Sequence, residues 1–283
     1  MRFLRVDMGG GRVVPCILDA DGSARDISTL VPDLGPGTLG DALIERIAAT
    51  EITSLPLVDL TGRRIDAPMA QPGTIWCIGL NYSDHAAEAG MAIPKEPILF
   101  NKAAVTYCGP NDPILMSPQM TKLDWEVELG IVIGKAALNV SPDAALEYVF
   151  GYVLVNDVSE RAWQMEREGQ WVKGKSFPNF CPVGPHLVTR QAVDDVQSLS
   201  MWLDVNGERK QTGSTSRMIF DVATIVSYMS EFTRLETGDL ICTGTPPGVG
   251  AGMKPPQWLK AGDCVTLGIE GLDEQAQTVE PLA

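Results

Sequence analysis

A chain of 283 residues is long enough to bury a sizeable core, and 36 acidic against 22 basic residues leave it with a net charge of −14. That balance excludes nucleic acid and anionic membranes as natural partners, because no Lys/Arg run supplies a local basic patch. No apolar run approaches the roughly 18 residues of a membrane span, and the first seven residues lack a signal peptide's apolar segment, so a cytoplasmic location is expected.

In chain order, residues 3–6 and 13–18 read as a strand pair around the glycines at 9–11, and 37–49 as a helix. Pro68 and Pro72 punctuate the chain before a new apolar strand at 75–78. This divides the chain into a small N-terminal α/β module over 1–68 and a larger domain over 69–283. Beyond that point 129–133, 149–155, 199–205, 240–243 and 264–269 read as strands, each bounded by Gly, Pro, Asn or Asp. Helical patterns intervene at 159–168 and 221–232. The fold class is α+β, mostly β. The six cysteines form no C-x-x-C pair, and Cys77, Cys181 and Cys242 lie in apolar or Pro-rich contexts that suit small buried thiols. His85 and His186 are the only histidines, which excludes a His-rich zinc site.

The chemistry-bearing segment is Asp124-Trp-Glu-Val-Glu-Leu-Gly-Ile-Val-Ile-Gly134. On a strand Trp125, Val127 and Leu129 face one way, and Glu126 and Glu128 face the other, about 7 Å apart along the pleat. Two like charges on one face repel and are costly to bury unless a cation joins them. An edge strand with one solvated face would also accommodate them, although the apolar run through Ile133 favours a central strand. The strand at 149–155 leads to Asp157, which with Glu160 resembles a capping box but could equally supply a third oxygen ligand. Three carboxylates without histidine suit Mg²⁺ or Mn²⁺ better than zinc.

Lys175 falls in Val172-Lys-Gly-Lys-Ser-Phe-Pro-Asn179, which reads as an exposed turn or as part of a site. The loop after 240–243 lacks the Gly-Lys-Ser/Thr of a phosphate loop, so nucleotide binding is rejected. Its Thr243 and Thr245 could offer hydroxyls and backbone N–H groups to a carboxylate. His85 and Glu88, three apart, would meet on a helical turn, either as a surface salt bridge or as a base with its orienter.

Four segments in this order resemble the fumarylacetoacetate hydrolase superfamily. They are Ile78-Gly-Leu-Asn-Tyr-Ser-Asp-His85, Asp124-Trp-Glu-Val-Glu-Leu-Gly130, Asn156-Asp157 with Arg161, and Gly244-Thr-Pro-Pro-Gly-Val-Gly250. The resemblance covers about residues 70 to 280. It implies a mixed β-sandwich roll, a homodimer or homotetramer, and Mg²⁺ or Mn²⁺ held by Glu126, Glu128 and Asp157. It also implies that His85 and Glu88 lie on a mobile segment ordering over substrate. Lys175, Arg161, Gln164 and Thr245 would line the pocket around a 2-oxo acid. Leu80 departs from relatives that often carry Arg there, which argues against a small doubly charged substrate. The fuller pattern, including 213–220, is similar to bacterial members that hydrolyse 2,4-diketo-3-deoxy-L-rhamnonate to pyruvate and L-lactate. Other readings remain open at this point: acylpyruvate hydrolysis, oxaloacetate decarboxylation, dienoate isomerisation, ureidoglycolate cleavage, or non-catalytic binding of a 2-oxo acid.

Overall fold

The structure is a computed structural model that describes residues 1–88 and 90–282. A mixed sheet of 11 strands forms its backbone. At its centre lie Val127–Ile133 and Val149–Asn156, paired antiparallel from Val127 opposite Asn156 to Ile133 opposite Val149. Leu240–Cys242 joins the other side of Val127–Ile133, followed by Ile75–Gly79 in parallel and Ile98–Lys102 at the edge. In the opposite direction Leu187–Thr189 connects Val149–Asn156 to Arg2–Asp7. The strands Arg2–Asp7, Val13–Leu18, Ala24–Asp26 and Leu57–Val58 then continue the sheet, so the first 68 residues share it with the larger part of the chain.

Both central strands are buried along their whole length. This explains their near-continuous apolar sequence: each face packs against something. Val127, Leu129, Ile131 and Ile133 enter a core shared with Leu203, Leu267 and Ile269 of a second, five-stranded sheet. Val132, Val153 and Val155 enter another, with Phe3, Ile17 and the helix Asp41–Ala48 through Leu43 and Ile47. The result is the α+β, mostly β sandwich that the pattern of short strands predicts.

The predicted strands at 3–6, 13–18, 75–78, 129–133, 149–155 and 264–269 all lie within strands of the fold. The expected helix at 159–168 is shorter. Ser159 and Glu160 pair with Leu123–Asp124 as a strand first, and the helix covers only Arg161–Met165. Glu160 caps that helix, its carboxylate accepting the Ala162 N–H at 3.1 Å, so Asp157 is not used as the cap. No helix among the described residues is long and apolar enough to cross a membrane.

Candidate active site

Glu126, Glu128 and Asp157 converge at the ends of the two central strands. One carboxylate oxygen from each lies within 4.8 Å of the others, and all three residues are buried. The strand alternation accounts for the two glutamates: Trp125, Val127 and Leu129 fill one core while the glutamates share the opposite face. Asp157 comes into register because its N–H donates to Glu126 O at 2.9 Å and Asn156 Oδ1 accepts the Glu126 N–H.

Such a cluster needs positive charge. Lys175 Nζ reaches Glu126 and Asp157 at 2.7 Å each, and Arg161 links Asp124 to Glu126 at 2.8 and 2.6 Å. Lys102, which sequence reasoning missed, is equally buried and donates to Asp157 at 2.5 Å and to Val158 O at 3.2 Å. Nothing in its neighbourhood, Phe100-Asn-Lys-Ala103, marks it, because it arrives from the edge strand across the sheet. Burial raises the Glu126 pKa, but Lys175 and Arg161 outweigh it and hold the carboxyl well below its ordinary range. For Lys175, burial works against the charge, but Asp157 and Glu126 prevail and keep the ammonium protonated. Glu128 is the exception. It makes no ion pair among the described residues and accepts one N–H, from Gly244 at 2.8 Å. Burial, then Asp157 and Glu126, push its pKa well above the ordinary value.

Four carboxylates, counting Asp124, thus face three cations, and the unbalanced charge rests on Glu128. The donors are all oxygen, which is the chemistry of a hard divalent ion, and Glu128 is where the cluster lacks a positive partner.

Across the cavity from this cluster, the helix Ser83–Glu88 carries His85 and Glu88, with Nδ1 and Oε2 3.1 Å apart. The helix is tied down by side chains rather than by a sheet. Asn81 Nδ2 donates to Phe220 O and Thr243 O, and the Ser83 hydroxyl to Arg217 O. The Glu88 carboxylate accepts the Gly248 N–H. His85, Glu88, Glu126, Glu128, Arg161, Gln164, Lys175 and Thr245 all line one cavity of about 540 Å³, whose lining does not include Asp157 or Thr243. Lys175 is thus a buried member of the cluster on the short helix Val172–Lys175, and the exposed-turn alternative does not hold.

Two predicted contributors are partly committed elsewhere. Thr245 Oγ1 donates to Val127 O at 2.9 Å and accepts from Gln211 Nε2 at 2.8 Å, and Thr243 Oγ1 donates to Leu129 O. Their hydroxyls brace the strand that holds the glutamates, and since the N–H groups of Thr243, Gly244, Gly248 and Gly250 are also committed, the Thr245 N–H is what this part of the loop leaves for a ligand. Arg161 also grips Gln164 Oε1 at 3.0 Å, fixing the amide that faces the cavity. Gln211, fully buried, accepts the Val127 N–H and donates to Thr245 and Pro246. It clamps the carboxylate strand to the loop, and no motif announced it.

A cavity with buried carboxylates at one side and a histidine–glutamate pair at the other defines an enzyme of hydrolase or isomerase type. Residues 74–280 match the fumarylacetoacetate (FAA) hydrolase C-terminal family, and the chain belongs to that family. A relative from Burkholderia multivorans, named no further than as a hydrolase, is 55% identical over 269 residues, 94% of this chain and 95% of its own. The fold superposes on a fumarylacetoacetate hydrolase from Exiguobacterium antarcticum with TM-score 0.85, at 37% identity and full coverage of both chains. It also superposes on maleylpyruvate hydrolase from Sphingobium sp. SYK-6, solved with manganese(II) and pyruvate, with TM-score 0.80 at 26% identity and full coverage of both.

Proposed function

We propose that this protein hydrolyses the C3–C4 bond of a 2,4-dioxo acid, releasing pyruvate and a carboxylic acid. The observation that carries this reading is the histidine–glutamate pair facing a three-carboxylate cluster across one cavity. Mg²⁺ or Mn²⁺ held by Glu126, Glu128 and Asp157 would supply a Lewis acid for the carboxylate and 2-oxo oxygens at the pyruvyl end. The solved relative in complex with manganese(II) and pyruvate supports a divalent ion and a 2-oxo acid as ligands.

The remaining steps fall to side chains of this chain. His85, oriented by Glu88 through Nδ1, takes a proton from water at Nε2 as the water oxygen bonds to C4. The C3–C4 bond then breaks and its electron pair passes into the enolate of pyruvate. Lys175, protonated in its nest of carboxylates, donates to the developing negative charge, and the proton returns to C3. Arg161 holds Gln164 toward the substrate, and the Thr245 N–H is offered from its loop.

Within this class the sequence pattern points to 2,4-diketo-3-deoxy-L-rhamnonate, giving pyruvate and L-lactate. The test is turnover with Mg²⁺ of that compound, acetylpyruvate, oxaloacetate and ureidoglycolate, following pyruvate and lactate. Lactate from the first is expected; its absence ends the sugar-acid reading, and absence of pyruvate from both dioxo acids ends the hydrolase reading. His85→Ala should bind pyruvate as wild type does while losing about 100-fold or more in kcat. Normal turnover by that variant would place the general base elsewhere.

A further inference from the structure

The cavity has a second half that the mechanism above does not use. Its apolar lining is Leu80, Phe100, Trp171 and Met253, with the exposed Met91 and Met165. The charged residues that line it are committed to one another: His85 to Glu88, and Lys175 and Arg161 to Glu126. Glu128 belongs to the same cluster, and Lys254 is exposed at the mouth. The wall begins beside the reacting end, since Lys175 Nζ stands 5.4 Å from the Phe100 ring centroid. Phe100 meets Trp171 edge to face, centroids 5.3 Å apart. Trp171 in turn brings the edge of its indole against Gly79, where a Cβ would come within 2.5 Å of Cζ3. Gly79 therefore allows the indole to sit as a floor next to the site, and aromatic rings packed this way give a rigid apolar surface.

We propose that the Phe100–Trp171 wall selects the acyl half of the substrate, favouring 2,4-dioxo acids whose acyl group ends in alkyl or aryl carbon over those ending in carboxylate or hydroxymethyl. The proposal rests on the 2,4-dioxo acid reading. An acyl tail that runs along this wall buries apolar surface, and each methylene adds affinity. A terminal carboxylate or hydroxymethyl laid on the same wall loses its hydration with no buried partner to replace it. The rhamnonate compound ends in a methyl group and satisfies the requirement; the analogous compound from a sugar with a terminal hydroxymethyl does not.

The test has a binding arm and a turnover arm, both with Mg²⁺. Calorimetry with straight-chain 2-oxo acids, from pyruvate to 2-oxooctanoate, should give affinity rising about three- to four-fold per methylene. In Trp171→Ala the increment should fall below about two-fold per methylene, with pyruvate affinity within about two-fold of wild type. Trp171→Phe, which keeps an aromatic floor, should retain most of the increment and guards against misfolding of the alanine variant. In turnover, kcat/KM for hexanoylpyruvate should exceed that for a carboxylate-ended analogue of equal length by about 10-fold or more. A flat series in wild type, an unchanged slope in Trp171→Ala, or preference for the carboxylate-ended substrate overturns the proposal. If no dioxo acid is turned over, the hydrolase reading fails, while the binding series still decides the wall.

Discussion

Replacing Glu128 by glutamine should stabilise the ion-free protein, and the gain should grow with pH. Glu128 is 2% exposed and makes no ion pair among the described residues. Its folded pKa stands well above the ordinary 4.5, through burial first and then the charges of Asp157 and Glu126. From about pH 4.5 up to that raised value, the folded state keeps a proton that the unfolded chain has released. Stability is therefore fullest below the unfolded pKa and declines as pH rises through the window, by at most about 1.4 kcal/mol per pH unit. Glutamine never ionises, and its amide oxygen still accepts the Gly244 N–H. Between pH 5.5 and 7.5, Glu128→Gln should gain on wild type by up to about 2.7 kcal/mol in EDTA, read by urea unfolding at both pH values and midway. Saturating Mg²⁺ should narrow the gap, because wild type gains about 2.7 kcal/mol at a hundred times its dissociation constant and the variant gains less. A difference flat with pH in EDTA, or a variant that gains as much from Mg²⁺ as wild type, would refute this placement of the unbalanced charge.

Two other substitutions or probes test neighbouring parts of the argument. A methyl group at Gly252 would sit 2.8 Å from Glu88 Cδ, so Gly252→Ala should push Glu88 off Gly248 and His85. The expected loss in kcat is about 10- to 100-fold with divalent-ion affinity within about two-fold, checked by steady-state kinetics and calorimetry; equal activity would mean that the pair is not needed. Of the six thiols only Cys264 is exposed, while burial pushes Cys16 up to about 12 and Cys77 up to about 11. A disulfide reagent at pH 8 should therefore modify one thiol per chain quickly and the rest only on unfolding; two fast thiols would contradict the packing.

The carboxylate strand was legible as a strand from the alternation that separates Glu126 and Glu128 from Trp125, Val127 and Leu129 and from its apolar continuation, but pattern alone left an edge strand open, and the family resemblance singled the pair out as ligands. The His85–Glu88 pair was legible because helical spacing fixes side-chain proximity locally. Asp157 was ambiguous in sequence because an aspartate before a helix serves as cap or ligand alike, and only the chain path shows Glu160 taking the cap. Lys102 and Gln211 were invisible for a different reason. Each reaches the site from a strand remote in sequence, and neither has a local pattern, since a buried lysine and a buried glutamine look like any exposed polar residue until the fold removes their water. Phe100 and Trp171 read as ordinary apolar residues, and only their meeting over Gly79 makes a wall of them.

The two halves of the site are held by different means. The carboxylates sit at the ends of the two central strands, and a chain of buried amides stiffens them: Asn156 to Gln277 at 3.0 Å, Gln277 to Gln275 at 3.1 Å, and Gln275 on to Leu154 O and Gly184 O. Every link is buried, so loosening any one leaves an unpaired polar group inside the protein at about 1–3 kcal/mol. That cost keeps a cluster of like charges from spreading apart. The histidine–glutamate pair has no such frame. Its six-residue helix is shorter than an isolated helix needs to persist, and it keeps its place through Asn81, Ser83 and the Gly248 N–H on Glu88. Positioning of the proposed base therefore depends on docking Glu88 against the 243–252 loop, the same loop whose threonines brace the glutamate strand. Since one loop touches both halves, its position sets the register of the proposed base with the carboxylates.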